Sequence, residues 1–504
     1  MADYQSGPGE NMYLIRVEGQ NFKWVIDDTH DLSTIAGGSR LLAKIPELVK
    51  ATLDACLADG KLKAFETILS AASIGLFVVC PGTATIEEIV AAVKNPLSDP
   101  GGDFRHLTVS VEWTATETAC LKSEENQFMI PMDALKEIPA SLFDRLAAAA
   151  HFAQMRAPNV AVPALISDAK KSCCEDHVRP ATNNSKQGRS ASVNVRRDIG
   201  KEFRWRNGTT KKTTESVYTF DQMTGSEILQ HDGKIAVISI DGNGFTDIRN
   251  KYCQHMAGMQ QFSAQLVEKQ REFLDFLLAE WTKTETDPKL APKYFFPYMP
   301  SEDDKKIGRK PGNLLRFQRL VTAGDDAVYL MPAWLAWDFL ERYFNHTWRL
   351  TLPFKDDNGH EMVEEVPLFF RAGVVICSAK APIHPIRELA GQLEGEIGRE
   401  AVNAGIENPV AYEILKSFDL IGPRLRDYRM QRAGELKLSD LILDGKKLSD
   451  KVTAFQKLDK KYSSAVIKNP RRWTEIEECD DYQISDAYHL SQWKGYLDLE
   501  GDRS

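Results

Sequence analysis

A chain of 504 residues is too long for one ordinary hydrophobic core, so two to four domains are expected. With 43% hydrophobic and 27% charged residues it has a globular composition, and its net charge of −9 excludes a surface that attracts nucleic acid as a whole. The eight cysteines are scattered with no C-x-x-C pair, no run of about 18 apolar residues occurs, and the first residues have no basic or apolar leader pattern; a cytoplasmic chain with mostly free thiols and no membrane span is expected.

Met12–Glu18 reads as a strand, and a helix follows from about Gly38, with Leu41, Leu42, Ile45, Leu48 and Val49 at helical spacing. Phe65–Leu69 and Gly75–Cys80 read as two strands joined by a tight turn, Ile86–Val93 as a helix and His106–Trp113 as a further strand. This β-α-β-β-α-β order is the ferredoxin-like pattern. Residues 116–165 read as mainly helical, and 172–215 as a polar, basic loop or insertion. The pattern then returns. Lys234–Ile240 is a buried strand, a long helix starts near Phe245, and 284–313 is a loop. Leu315–Val321 and Ala327–Met331 are strands around Thr322–Asp326, Trp334–Phe344 is a helix, Phe369–Cys377 a strand and His384–Ala401 a helix. Ala411–Phe418 is a candidate edge strand, and the chain after about 430 reads as helical and charged. The expected fold is α+β with one architecture used twice. Its parts are a first palm-like domain (1–115), a helical and irregular linker domain (116–225), a second palm (226–430) and a helical C-terminal tail (431–504).

Two short segments carry the chemistry. Ile238-Ser-Ile-Asp-Gly-Asn-Gly-Phe245 ends a buried strand with a carboxylate, and its glycines allow a tight turn into a helix whose first N–H groups suit a triphosphate. Thr322-Ala-Gly-Asp-Asp-Ala327 is a hairpin tip which, in a ferredoxin-like sheet, lies beside that first strand. Asp241, Asp325 and Asp326 are therefore expected to meet. Clustered carboxylates repel one another unless a cation sits among them. The expected ligands for two Mg²⁺ or Mn²⁺ ions are Asp241, Gly242, Asp325 and Asp326, and the expected chemistry is in-line attack on an α-phosphate. Each segment taken alone also fits an ordinary solvated turn.

The two segments resemble the palm motifs of the large polymerase-like subunit of type III CRISPR effector complexes, relatives of GGDEF and adenylyl cyclase domains. Ala323-Gly-Asp-Asp326 looks like that family's Gly-Gly-Asp-Asp hairpin, with Ala323 in place of the first glycine. Ala372–Arg387 is similar to the strand, Lys-x-Pro turn and helix that follow, and Asp31–Leu42 to a segment of the first palm. The resemblance implies two palms that sandwich ATP. It also implies a cyclic oligoadenylate product that acts on a downstream effector in antiviral defence, with RNA and other effector-complex subunits as candidate partners. A diguanylate cyclase-like enzyme and a non-catalytic palm scaffold are the alternatives. No His-Asp pair of a nuclease domain precedes the first palm, and Ser70-Ala-Ala-Ser-Ile-Gly75 carries no carboxylates where a catalytic hairpin would stand, so that palm is expected to be silent.

Beyond the aspartates, Gly242, Asn243, Gly244 and Phe245 are candidate nucleotide-binding residues, Phe245 being equally a core residue. Lys380 is a candidate phosphate contact or a surface lysine. Gly37, Gly38, Ser39 and Arg40 either start a helix that takes a second triphosphate or form a simple turn. Cys173, Cys174 and His177 are either incomplete zinc ligands or ordinary loop residues. The nine Lys and Arg residues of 186–212, beside Phe203 and Trp205, make either a solvated loop or an RNA or partner contact.

Overall fold

The computed structural model describes residues 10–20, 25–26, 28–122, 128–156, 171–182, 188–204, 215–225, 233–302, 305, 310–355, 360–416, 424–433, 436–469, 473, 475–476, 479 and 482–497. Its first half holds β1 (Glu10–Gly19), α1 (Leu32–Ala58), β2 (Leu62–Ala71), β3 (Ile74–Pro81), α2 (Ile86–Ser98), β4 (Val109–Lys122) and β5 (Phe128–Met129). The strands form one sheet in the order β2-β3-β1-β4-β5, every neighbour antiparallel. Alternation gives this sheet two apolar faces. Ile15, Val17, Phe77 and Val79 join the core of α1 and α2, while Leu14, Leu76 and Val78 cluster with Leu135, Leu142 and Leu146 from α3 (Met132–Glu137) and α4 (Ser141–Arg156) and with Ile138 between those helices. Cys80 and Cys120 are bonded on that second face, and the other six cysteines are free thiols. Strand β4 begins three residues later than expected and runs on to Lys122, nine residues past Trp113, into the stretch expected to be helical.

The second half repeats the path: β6 (Lys234–Asn243), α6 (Phe245–Tyr252), α7 (Met256–Thr282), β7 (Phe295–Tyr298), β8 (Gly312–Leu315), β9 (Gln318–Ala323), β10 (Asp326–Pro332), α8 (Ala336–Asn345), a hairpin of β11 (Arg349–Lys355) and β12 (Glu361–Pro367), β13 (Phe369–Ser378), α9 (Ile383–Gln392), β14 (Pro409–Ile414) and β15 (Leu443–Asp444). Its sheet runs β15-β14-β13-β6-β10-β9. The long helix expected near Phe245 is therefore two helices, the 284–313 loop contains β7 and part of β8, and the expected edge strand β14 pairs parallel to β13 with β15 outside it. The charged C-terminal segment is docked rather than free. Arg429 of α10 (Leu425–Ala433) is buried and pairs with Glu413 at 2.8 Å, and Phe455 of α11 (Leu448–Lys461) and Trp493 of α12 (Ile484–Trp493) close on Trp337.

The halves touch reciprocally. Helix α7 of the second packs on β2 of the first, where Gln260 donates to the Thr67 carbonyl at 2.9 Å, and helix α1 of the first packs on β9 of the second.

The basic segment corrects the expectation of a loop. Residues 191–204 form α5, whose charges turn inward: Arg196 pairs with Asp28 (2.6 Å), Arg197 with Asp31 (2.7 Å), and Arg189, just before it, with Glu175. Lys186 and residues 205–212 lie outside the described residues, as do the side chains of Phe203 and Arg204. Helix α5 lies on α1 at backbone contact: a Cβ on Gly37 would fall 1.6 Å from the Arg196 carbonyl oxygen, and one on Gly200 1.8 Å from that of Ser33. Gly37→Ala must push the two helices apart and is expected to lower stability by about 1–3 kcal/mol. Gly391→Ala, in α9 with nothing within 4 Å, should instead raise it by up to about 1 kcal/mol. Denaturant midpoints of the two variants check the contrast.

Candidate functional site

Strand β6 is the centre of its sheet, with β10 on one side and β13 on the other. Along it, Ile240 stands opposite Ala327 and Asp241 opposite Arg371. Continuing the register by one residue puts Asp326 beside Asp241, on the flank away from Arg371. The β9–β10 hairpin turns through Gly324 and Asp325, with Ala323 paired to Asp326. Gly324 has φ +68°, the first central position of a tight hairpin turn that glycine fills without strain, and Gln270 of α7 donates to its carbonyl. Asp241, Asp325 and Asp326 therefore come together at one end of the sheet although 84 residues separate the first two.

Two further residues complete the cluster. The Arg371 guanidinium bonds the Asp241 carboxylate through Nη2, and its Nε lies 3.2 Å from Oε1 of Glu394. Glu394 sits in an i→i+5 turn, Leu393–Gly398, that continues α9. That helix runs back along β13 and approaches it closely at Gly373, where a Cβ would be 1.9 Å from the Ala390 carbonyl oxygen and 2.7 Å from the Glu394 nitrogen. Reading the sequence missed both residues. The available signal was Arg371 itself, a cation inside the apolar run Phe369-Phe-Arg-Ala-Gly-Val-Val-Ile-Cys377, which needs a buried counter-charge.

Four carboxyl groups around one guanidinium cannot all ionise. Burial pulls Asp241 upward, but bonds from Asp326 and Glu394 and the charge of Arg371 outweigh it, and its carboxyl lies below the ordinary carboxylate range. Burial raises Asp326 to about 8, with the bond to Asp241 adding to it, and burial with the Asp241 charge raises Glu394 to about 8. Burial also raises Asp325, against the pull of its own backbone N–H. Without a cation, Asp241 is the ionised partner of the Arg371 guanidinium, and the upward shifts favour a proton on the buried Glu394 and, less strongly because it is open to water, on Asp326.

Around this cluster, Gly244 (φ +75°) caps α6, so the first N–H groups of that helix lie just beyond Asp241. The ring of Phe245 meets Phe262 and Phe370 edge-on, at 6.0 and 5.6 Å between centroids, and supports the turn from below. Asn243 donates from Nδ2 to the Glu407 carbonyl at 3.3 Å.

Other candidates lie elsewhere. Lys380 follows Ser378, which pairs with Lys234 at the opposite end of β6. Seven residues of strand separate Arg371 from Ser378, about 23 Å at ~3.3 Å per residue, so Lys380 does not reach phosphates beside Asp241. Gly37, Gly38 and Ser39 do not start a helix. Helix α1 begins at Leu32, with Asp31 accepting from the Thr34 N–H at 2.9 Å, so their own N–H groups lie inside the helix. Arg40 pairs with Glu47 at 2.9 Å. In the first sheet the register position that matches Asp241 is Glu18, opposite Ile74 just past the hairpin turn, and its carboxylate is bonded by Arg16 at 2.6 Å. The next residue, Gly19, donates its N–H to the Ser73 carbonyl at 2.9 Å, and a Cβ there would meet Ile45 and Leu42 at 2.7 and 2.8 Å. The hairpin residues Ala71, Ala72, Ser73 and Ile74 bring no carboxylate to match Asp325 and Asp326. Around Cys173, Cys174 and His177 no metal-ligating group forms among the described residues.

Nor, among the described residues, does any set of three His, Cys, Asp or Glu side chains stand ready to hold a metal ion. At the aspartates, the charge of Asp241 is met by Arg371, which bonds its Oδ2. The donor set nevertheless fits hard divalent ions: it offers carboxylate oxygens, with the Gly242 carbonyl next to them, and neither sulfur nor imidazole.

No protein-family profile matches the chain, and no curated protein sequence does. Solved structures to which it is similar include Csm1 of T. onnurineus, at 12% identity and TM-score 0.42 over 79% of this chain and 52% of that one. A Csm1–Csm4 cassette in complex with cA3 matches at 10% identity and TM-score 0.47, over 96% and 65% of the two chains. A cassette in complex with AMPPNP matches at 11% and 0.45, over 98% and 70%. The chain thus spans 52–70% of the length of these Csm1 chains. No helix among the described residues is long and apolar enough to cross a membrane.

The raised groups set a pH dependence. Asp326 and Glu394 bind protons more tightly folded than unfolded, so they favour the folded state below their unfolded values near 4 and lose that advantage as pH rises through about 8. Without divalent ions the melting temperature is expected to fall across that window, and Asp326→Asn, at a position open to water, to lie above wild type at pH 8.5 by no more than about 1–2 °C. Mg²⁺ should narrow the gap at pH 8.5 more than at pH 6. Differential scanning fluorimetry at the two pH values checks this.

Proposed function

We propose that the chain is a divalent-metal-dependent nucleotidyltransferase built on two ferredoxin-like palms, which joins ATP into cyclic oligoadenylates in the manner of the large subunit of type III CRISPR effector complexes. The observation that carries the proposal is the convergence of Asp241, Asp325 and Asp326, from two separate segments, at the end of a central strand that leads directly into a helix N-terminus. The strand orders β2-β3-β1-β4 and β9-β10-β6-β13 support the two-palm reading, since each is the order of a ferredoxin-like sheet. The carboxylates and the Gly242 carbonyl would hold two Mg²⁺ or Mn²⁺ ions. Such ions supply activation of an attacking 3′-hydroxyl and neutralisation of the departing pyrophosphate.

The chain's own groups do the rest. The N–H groups that open α6 orient a triphosphate toward Asp241, with the helix dipole favouring its charge. The hairpin holds Asp325 and Asp326 at a fixed height over β6, because Gln270 ties down the carbonyl of Gly324. The hairpin of the first palm bears no carboxylate from Ala71 to Ile74, and Glu18 beside it is bonded by Arg16, so this palm serves as the second wall of the site and not as a second reaction centre. The downstream consequence is a diffusible cyclic nucleotide sensed by an effector. RNA and other effector-complex subunits are its partners in this reading.

One observation favours a second reading, a non-catalytic palm scaffold. Arg371 already neutralises Asp241, and a silent site tolerates that pairing indefinitely. Pyrophosphate release from ATP and Mg²⁺ separates the two. Under the enzyme reading Asp241→Asn and Asp326→Asn each lose at least about 10²-fold in rate, the scale on which groups stabilising transition-state charge act, with the melting temperature of Asp326→Asn at pH 6 little changed. A diguanylate cyclase-like enzyme would show the same losses with GTP and none of the activity with ATP. Equal, background-level release from wild type and both variants with every nucleotide would favour the scaffold.

A further inference from the structure

The nucleotidyltransferase reading leaves one feature of the site unused. Arg371 lies in a buried strand at 8% exposure, Glu394 faces it at 8%, and the pair is incomplete. The Nε of Arg371 and Oε1 of Glu394 are 3.2 Å apart, yet both atoms are buried without a hydrogen-bond partner among the described residues. The distance for a bond is met and the alignment is not, because Nη2 of the same guanidinium is committed to Asp241. A planar guanidinium makes its best contact with a carboxylate through two parallel N–H···O bonds, and here it is divided between two acceptors.

We infer that Arg371 is a positioning residue that moves between two carboxylates: it holds Asp241 when no divalent cation is bound, and it turns to a forked pairing with Glu394 when one is. The inference rests on the metal-site reading above. Its logic is charge replacement. A divalent cation on Asp241 competes for the charge of the carboxylate whose Oδ2 Arg371 bonds, and a displaced guanidinium in a buried position needs another anionic acceptor within reach. Glu394 is the carboxyl group within reach, at hand without movement of either backbone, and the proton it holds beside an ionised Asp241 leaves as the guanidinium turns to it. The local fold maintains it there. Gly373 lets α9 approach β13 at backbone contact, and the i→i+5 turn at Leu393–Gly398 interrupts the helix where Glu394 faces the strand. Such turns recur at functional sites. The pair thereby links occupancy of the metal site to the fit of α9 against the sheet.

A double-mutant cycle on Mn²⁺ affinity, read by calorimetry or by electron paramagnetic resonance of free Mn²⁺, tests this without any turnover. Glu394→Gln in the wild-type chain removes the receiving carboxylate and is expected to weaken Mn²⁺ binding by about 10–100-fold, the scale of outer partners of metal ligands. Arg371→Met uncovers Asp241 and should bind Mn²⁺ at least as tightly as wild type. In that background Glu394→Gln should cost nothing further. An equal loss from Glu394→Gln in both backgrounds would make Glu394 a metal ligand in its own right and overturn the inference, as would no loss in either. A wild-type chain that takes up no Mn²⁺ contradicts the metal site itself, and the exchange with it. Should Arg371→Met fail to fold, diffraction from wild-type crystals with Mn²⁺ reads the same switch: Arg371 bonded to Glu394 and off Asp241 supports it, whereas Arg371 still on Asp241 beside a bound ion overturns it.

Discussion

At the end of β6 the chain crowds Asp241, Asp325, Asp326 and Glu394 around a single guanidinium, with Glu394 and Arg371 buried beneath and Asp326 exposed at the rim. Much of the second half can be understood as holding that arrangement in place. The central strand carries Asp241, the hairpin is tied at Gly324 by Gln270, and β13 brings Arg371 directly opposite. The close crossing at Gly373 sets the turn that carries Glu394. Each of these contacts presses like charges together, and a protein meets such a cost only when protons, an internal cation or an external one offsets it. Here Arg371 and retained protons do so.

The first half shows the same strand path without that crowding. A single carboxylate, Glu18, stands in the place of Asp241 and is bonded by Arg16, and the hairpin opposite it carries none. The reciprocal packing of α7 on β2 and of α1 on β9 joins the two halves through equivalent elements, so the first half braces the second. The packing of α5 on α1 adds a second brace, fixed by the Arg196–Asp28 and Arg197–Asp31 pairs.

What was legible in the sequence followed local physics. Strands with alternating or continuous apolar runs, and the turns between them, announced both sheets, and with them the meeting of Asp241 with Asp325 and Asp326. What was illegible depended on partners far away in the chain. The basic residues of 189–197 looked like a solvated loop because their counter-charges, Asp28, Asp31 and Glu175, lie in other segments. Gly37 and Gly38 looked like a helix start because two glycines usually break a helix; here one of them makes room for a second helix. Lys380 looked close to the aspartates because it follows a motif strand, but the antiparallel register carries it to the far end. Glu394, within Leu-Glu-Gly-Glu-Ile-Gly, has the appearance of an ordinary surface position, and only the crossing at Gly373 turns it inward.

The account stands or falls on whether these carboxylates perform phosphoryl chemistry on ATP. The most direct measurement is mass spectrometry of products after incubating the purified chain with each of the four ribonucleoside triphosphates, with Mg²⁺ or Mn²⁺ and with chelator. The account predicts pyrophosphate and cyclic oligoadenylate from ATP, dependent on the divalent ion and abolished by the chelator. Unchanged ATP with either metal, or products formed equally well in the chelator, would contradict it.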